Sequence, residues 1–469
     1  MSKMFVNREK ELSFLEGEFK KEGASLVIIY GRRRIGKTSL IKKFIEQKAA
    51  LYFLATEESE RENIASLQNI LADYTGNNLL RSGANFSWDD LFITFRDYKR
   101  NEKKILIIDE FQYLGKANSS FPSVFQRIWD ERLKDTNIMV ILCGSLIHMM
   151  ESQTLAYSSP LYGRRTGQIK LTQVPFLHYK EFFKDKDKDK DKDKEELIEY
   201  YAVTGGVPKY IEAFQDLGDV YIGITKNILS KQSYLYEEPI FLLGKEVSEI
   251  GSYFSIIKTI AQGNHKLGNI AKVLGVSQTN LTKYLNTLIN LDLIERQVPI
   301  TERNLEKSKK GLYFLKDNFI EFWFKFVYPY RSYIEMEHIE HVVEKIKSNF
   351  IDNHVSHIYE KVCMEKIWQL NYENRFFFKV LKMGKWWDNR EEIDIVGFNE
   401  DSKEIFFCEC KYHNKPVDVD VYYQLNEKVK KVDWHNKTRK EYFVICSKSG
   451  FSEKLVSIAD IQKNLLLLN

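Results

Sequence analysis

The sequence predicts an α/β protein. Its first half reads as a parallel sheet covered by helices on both faces, and a second α/β domain closes the chain. Three observations carry this reading. Apolar runs at 26–30 (LVIIY), 50–55 (ALYFLA), 104–108 (KILII) and 138–143 (IMVILC) alternate with helical patterns, and unbroken runs of this kind suit strands buried on both faces. The first run stops at a glycine-framed loop that leads straight into a helix. The pattern then changes near Tyr253 and again near Ser332, and 469 residues suffice for roughly three or four domains.

The loop is Gly31-Arg32-Arg33-Arg34-Ile35-Gly36-Lys37-Thr38, followed by Ser39 and then by Leu40, Ile41 and Phe44 at helical spacing. Strand, G-x-x-x-x-G-K-[ST] and helix in this order make a Walker A phosphate-binding loop. The glycines let the backbone curl so that its N–H groups face phosphates. The helix beginning near Gly36 adds unpaired N–H groups and a positive dipole end. Lys37 can reach the β- and γ-phosphates of ATP, and Thr38 can hold Mg²⁺. The apolar run at 104–108 ends in Asp109-Glu110, the Walker B arrangement. Asp109 would hold Mg²⁺ through water, and Glu110 would orient and deprotonate the attacking water. The strand at 138–143 runs into Gly144-Ser145, where Ser145 can sense the γ-phosphate or simply end a strand. Arg164 or Arg165 could supply charge to the phosphates, in cis or across a subunit contact in an oligomer; a solvated arginine pair is the alternative.

Composition narrows the class. With 43% hydrophobic and 29% charged residues the chain is globular rather than disordered. A net charge of +4 is too small to imply nucleic-acid binding, so any basic surface must be local. Five cysteines, scattered through apolar segments except Cys408 and Cys410 and without a CxxC or His/Cys cluster, suggest dispersed free thiols in a reducing compartment and no zinc site. The charged N-terminus is not a signal peptide, and no run of about 18 apolar residues spans a membrane. A cytoplasmic protein is expected.

Further along, Leu12, Leu15 and Phe19 mark a helix before the first strand, and 63–74 and 88–100 read as helices. The KDKDKDKDKDK run at 184–194 has no apolar face and reads as a solvated loop or helix. Gly205-Gly206-Val207-Pro208 is a sharp turn between helices. After Tyr253 come a helix with Ile256, Ile257 and Ile260, a helix at 267–274, a turn at Gly275, an N-cap at Ser277, and a helix with Leu281, Tyr284, Leu285 and Leu288 on one face. Strands at 293–298 and 311–315 complete a winged helix-turn-helix. Gln278, Thr279, Thr282, Lys283 and Asn286 would face outward beside Lys307, Lys309 and Lys310, either as a DNA surface or as a protein-contact module.

From about Ser332 the chemistry differs. Strands are expected at 375–381, 391–397 and 404–411. Glu409 and Lys411 lie two apart on the last strand and so share a face with apolar Ile405 and Phe407. Burying them is costly unless they are paired or bound to metal. Asp394 on the preceding strand can meet Glu409, and the two carboxylates can hold a hard divalent cation. Lys411 would then position water or steady developing phosphate charge, and Glu360, on a helix, could complete the metal shell.

The motifs FVNREKEL, VIIYGRRRIGKTSLI, ILIIDEFQYL, LYGRRTGQIKL and TGGVPKYI together resemble the archaeal-type ATPases, a branch of the AAA+/STAND P-loop proteins. The resemblance implies that Asn7 and Arg8 lie beside the adenine and that the turn at Pro208, in a helical lid, touches the nucleotide. The last third resembles the poorly characterised domain that often follows this ATPase. Its E, E-I-D-I-V and E-C-K pattern is similar to the PD-(D/E)XK nucleases, which implies a restriction-endonuclease-like fold with Glu360, Asp394, Glu409 and Lys411 at its site. The expected architecture is a P-loop NTPase parallel sheet (1–175), a helical lid (176–245), a winged helix (246–331) and the nuclease-like α/β domain (332–469). The expected function is an ATP-hydrolysing, DNA-associated protein. The alternative is a nucleotide-dependent switch or scaffold for a protein partner, with an inactive C-terminal domain.

Overall fold

A computed structural model describes residues 5–81, 85–183, 194–215 and 218–469. All but the last residue of the 184–194 charge run lies outside the described residues. By internal contacts the chain divides into two units. One comprises residues 1–174, 207–209 and 244–248, and the other residues 175–206, 210–243 and 249–469.

The first unit is built on a five-stranded parallel sheet with the order β2-β3-β4-β1-β5. Its strands are β1 (Ser25–Tyr30), β2 (Ala50–Leu54), β3 (Lys104–Asp109), β4 (Ile138–Gly144) and β5 (Gly167–Lys170). Every residue of β1, β3 and β4 is buried, as continuous apolar runs require. Successive residues of β1 enter opposite cores. Leu26, Ile28 and Tyr30 pack with Leu67, Leu71, Phe92 and Phe125. Val27 and Ile29 pack with Leu15, Leu40, Ile41 and Phe44. Each fully buried aliphatic side chain contributes about 2 kcal/mol, and this two-sided burial fixes strand register. The strand order then matters for chemistry: β3, β4 and β1 are neighbours and parallel, so their carboxyl ends open side by side. Strand β5, short and with one buried residue, gave no such apolar signal.

In the second unit, helices Ile250–Ala261, Leu267–Leu274 and Gln278–Asn290 precede an antiparallel pair, β6 (Ile294–Gln297) and β7 (Leu312–Leu315). Gly275 ends the middle helix at φ 67°, and Ser277 caps the next one by accepting from the Asn280 N–H. The C-terminal sheet has the order β12-β11-β10-β9-β8. It comprises β8 (Lys382–Trp387), β9 (Glu392–Asn399), β10 (Glu404–Lys411), β11 (Lys440–Ser447) and β12 (Leu465–Leu468). Strands β8, β9 and β10 run antiparallel, and β10, β11 and β12 parallel.

The strand expected at 375–381 is not one. That segment is irregular, and pairing begins at Lys382. Its aromatic residues act as a plug instead: Phe376 packs on Phe406 and Phe377 stacks on Tyr442. The expectation of dispersed cysteines also fails. Cys363, Cys410 and Cys446 meet, with Cys408 beside them, because β10 and β11 pair in register and helix Ser356–Tyr372 contributes the third position.

Candidate nucleotide site and C-terminal acid–lysine cluster

The loop after β1 needs its glycines. Gly31 has φ 146°, and a Cβ there would lie 2.3 Å from the Leu171 carbonyl oxygen and 2.6 Å from Ile35 Cδ1. Gly36, at φ 96°, turns the chain into helix Lys37–Ile45. Arg34 between them also takes a left-handed backbone, φ 68°. Ile35 is buried and anchors the loop, while Thr38 and Ser39 begin the helix on its more open side. The Lys37 ammonium donates to the carbonyls of Gly31 and Arg32, at 2.7 and 2.8 Å. Burial lowers its pKa, against the opposing pull of Cys143, Glu110 and Asp109. Arg33 donates to the Tyr113 hydroxyl at 3.0 Å, and Arg32 is buried.

Thr38 Oγ1 donates to Asp109 Oδ2 at 3.4 Å, so the loop hydroxyl and the first strand-end acid meet, as a hard cation between them requires. Tyr52 on β2 donates to the same Asp109 oxygen. Glu110 stands at φ 54°, a strained backbone for a non-glycine residue. Its carboxylate accepts from Ser145 Oγ at 2.7 Å, from the Ser145 N–H at 3.2 Å and from the Gln112 amide. Ser145 therefore touches Glu110, the group next to which a γ-phosphate would be sensed. Gly144 precedes it because a Cβ there would meet Gln112 Oε1 at 2.1 Å.

Asn7 takes φ 52° and sets Arg8 inward. The buried Arg8 guanidinium donates to the Ile35 carbonyl at 3.3 Å and to that of Thr172 at 2.7 Å, tying the phosphate loop to the chain leaving β5. Of the arginine pair, Arg164 is engaged with Asp130 at 3.1 Å, while Arg165 lies over the Tyr162 ring. Pro208 opens helix Pro208–Glu212 after Gly205 and Gly206, both at positive φ, and residues 207–209 group with the phosphate-loop unit. So does Glu246, which sequence reasoning missed. Burial pushes its carboxyl up to about 7, while the Ile147 backbone and the charges of Arg32, Arg33 and Lys37 oppose the shift.

The C-terminal acids also come together. The β9–β10 ladder ends at Cys408 and Ile395, and the strands part at Asp394 and Glu409. The Cys410 N–H bridges the parting by donating to Asp394 Oδ2 at 2.7 Å. Burial first, then the charges of Glu360 and Glu409, hold the Asp394 carboxyl well above the usual carboxylate range. Glu409 accepts from Lys411 at 2.8 Å and from Lys428, on helix Val419–Val429, at 3.1 Å. Glu360 pairs with Lys385 on β8 and faces His357 at 3.4 Å; these partners outweigh burial and hold it below the usual range. Burial lowers the Lys411 pKa, but Glu409 and then Asp394 raise it to a net upward shift. Lys385 and Lys428 were not legible in the sequence, where nothing marks which surface lysines fold back onto an acid.

A five-stranded parallel sheet with a phosphate loop after β1 and an acid pair after β3 defines a P-loop NTPase. Residues 5–214 match the family described as "ATPase domain predominantly from Archaea", and residues 323–432 match one described as "Archaea bacterial proteins of unknown function". An uncharacterized protein of Methanocaldococcus jannaschii is 39% identical over 429 residues, covering 90% of each chain. An uncharacterized ATP-binding protein of the same organism is 62% identical over 45 residues, 10% of this chain and 76% of that one. The Walker-type ATPase of Pyrococcus abyssi is similar in fold, with a TM-score of 0.53 and 20% identity over 68% of this chain and 96% of that one. The chain belongs to this archaeal ATPase family, and it is a nucleotide-binding ATPase. Among the described residues, no helix is long and apolar enough to cross a membrane.

Proposed function

We propose that the protein is an ATP-dependent DNA-handling machine whose nucleotide state is coupled to a winged helix and a nuclease-like domain. In the ATP site, Lys37 and the loop N–H groups from Gly31 to Ser39 hold the phosphates. Thr38 and Asp109 hold Mg²⁺, which supplies charge neutralisation to the β- and γ-phosphates. Glu110, oriented by Ser145 and Gln112, takes the proton of the attacking water. Arg165 adds charge at the phosphates, Asn7 and Arg8 border the base, and Pro208 carries contact from the lid (176–245).

The winged helix (246–331) offers exposed Gln278, Thr279, Lys283 and Asn286, with exposed Lys307, Lys309 and Lys310 on its hairpin. Such side chains suit groove edges and phosphates. In the domain at 332–469, Glu360, Asp394 and Glu409 hold a hard divalent cation, and Lys411 positions water against a phosphodiester. The convergence of Asp394, Glu409 and Lys411 where β9 and β10 part carries this reading.

One observation favours the other reading, a nucleotide-dependent scaffold with an inactive C-terminal domain. Glu409 and Glu360 already have lysine partners, which can replace a cation. Incubation with linear, circular and single-stranded DNA, with and without ATP and Mg²⁺ or Mn²⁺, decides between them. Cleavage lost in Asp394→Asn, with ATP hydrolysis retained, is the expected outcome. An intact substrate under every condition leaves the scaffold.

A further inference from the structure

Four of the five cysteines lie in one cluster inside the C-terminal domain. Cys363 comes from helix Ser356–Tyr372, Cys408 and Cys410 from β10, and Cys446 from β11. Cys408 and Cys410 are two apart on one strand, so their thiols share a face, opposite to that of Glu409 and Lys411. Cys410 and Cys446 sit side by side in the β10–β11 register. The sulfur of Cys408 is 3.9 Å from that of Cys410 and 3.7 Å from that of Cys446. The sulfurs of Cys363, Cys410 and Cys446 all lie within 4.8 Å of one another.

We infer that these four thiols form a mononuclear zinc site. Zinc bound by four thiolates is tetrahedral with Zn–S about 2.3 Å, which places sulfurs about 3.8 Å apart. Two of the sulfur pairs stand at that spacing and those among Cys363, Cys410 and Cys446 lie within 4.8 Å, so a rotation that brings Cys408 toward Cys363 completes the tetrahedron. An iron–sulfur cluster spreads its thiolates around a body of several atoms and requires wider spacing. Hard cations prefer oxygen, so soft sulfur selects Zn²⁺ over Mg²⁺. Binding releases the thiol protons to solvent. Cys363, Cys408 and Cys446 are buried, while Cys410 is partly exposed and offers a path for entry.

The metal would join the helix to both strands. Glu360 stands one turn before Cys363, and Glu409 and Lys411 flank Cys410. A zinc pin here fixes where the acids of the neighbouring cleft stand, whether or not that cleft cleaves nucleic acid.

The full chain, produced in zinc-supplemented medium, should carry about one equivalent of zinc. Cys408→Ser with Cys446→Ser should reduce zinc to background. Because such a variant can fail to fold, cobalt substitution of the unaltered chain provides the second measurement: thiolate-to-cobalt charge-transfer absorption and tetrahedral ligand-field bands are expected. A metal-free chain whose thiols all react on unfolding, with no charge-transfer band on adding cobalt, overturns the site. A metal-free chain two hydrogens lighter, carrying a disulfide, overturns it equally.

Discussion

At the scale of single residues, function in the ATPase unit rests on a few contacts. Lys37→Ala removes the point charge poised over the loop and should weaken ATP binding or turnover at least about tenfold. Glu110→Gln keeps size and hydrogen bonding to Ser145 but cannot take a proton. It should bind ATP normally and hydrolyse it about a hundredfold more slowly or worse, measured as phosphate release against equilibrium binding. Wild-type turnover in either variant would place the chemistry elsewhere.

Glu246 adds a pH dependence. Its folded-state carboxyl titrates near 7, so below that pH it is neutral and above it charged. The charged form competes with phosphates for Arg32, Arg33 and Lys37. ATP affinity should therefore weaken severalfold between pH 6 and pH 8, relative to Glu246→Gln, in which this component is absent. Parallel pH profiles for the two proteins would remove Glu246 from the site.

Much of this residue-level picture was legible and some was not, for one physical reason. Gly31 to Thr38 and Asp109-Glu110 are contiguous, so their spacing is written in the chain. Tyr52 and Glu246 reach the site through folds of the backbone that join distant segments, and a lone tyrosine or glutamate carries no local mark; Gln112 is only two residues from Glu110, but nothing in its type shows that its amide turns back onto that carboxylate. The cysteines make the same point. Residues 363, 408, 410 and 446 show no cluster in their spacing, and only sheet register and the packing of helix Ser356–Tyr372 bring them together.

At the scale of elements, hydrophobic pattern decided what could be read. β1, β3 and β4 are buried throughout and stood out, whereas β5 has a single buried residue and did not. The phenylalanine run at 376–378 has strand composition but spends its rings on packing across β10 and β11. Helix junctions carry a further consequence. His354 is fully buried among Phe322, Phe326 and Phe350, and its Nε2 meets the Ala202 carbonyl at 2.8 Å.

Burial pushes the His354 pKa down to about 4, with Glu321 pulling the other way. A base whose folded pKa lies below its unfolded value contributes stability above about 6.5, which is lost as pH falls toward 4. The span corresponds to on the order of 3 kcal/mol. Thermal unfolding followed across this window should show a shallower acid slope in His354→Phe than in the wild type, even if the variant starts less stable. An unchanged slope would assign the acid lability to other groups.

At the scale of the molecule, the proposed DNA-handling role requires a DNA-binding surface on this chain. The net charge of +4 predicts no general affinity for nucleic acid, so binding must come from local lysines and depend on salt. The most direct test is equilibrium binding of Glu110→Gln, held with ATP and Mg²⁺, to duplex DNA over a range of salt. The proposed role predicts saturable binding at low salt that falls roughly a thousandfold or more by moderate ionic strength, as neutralising six or more phosphates requires, and that differs between the ATP-bound and nucleotide-free protein. Absence of DNA affinity at low salt in both nucleotide states would contradict it.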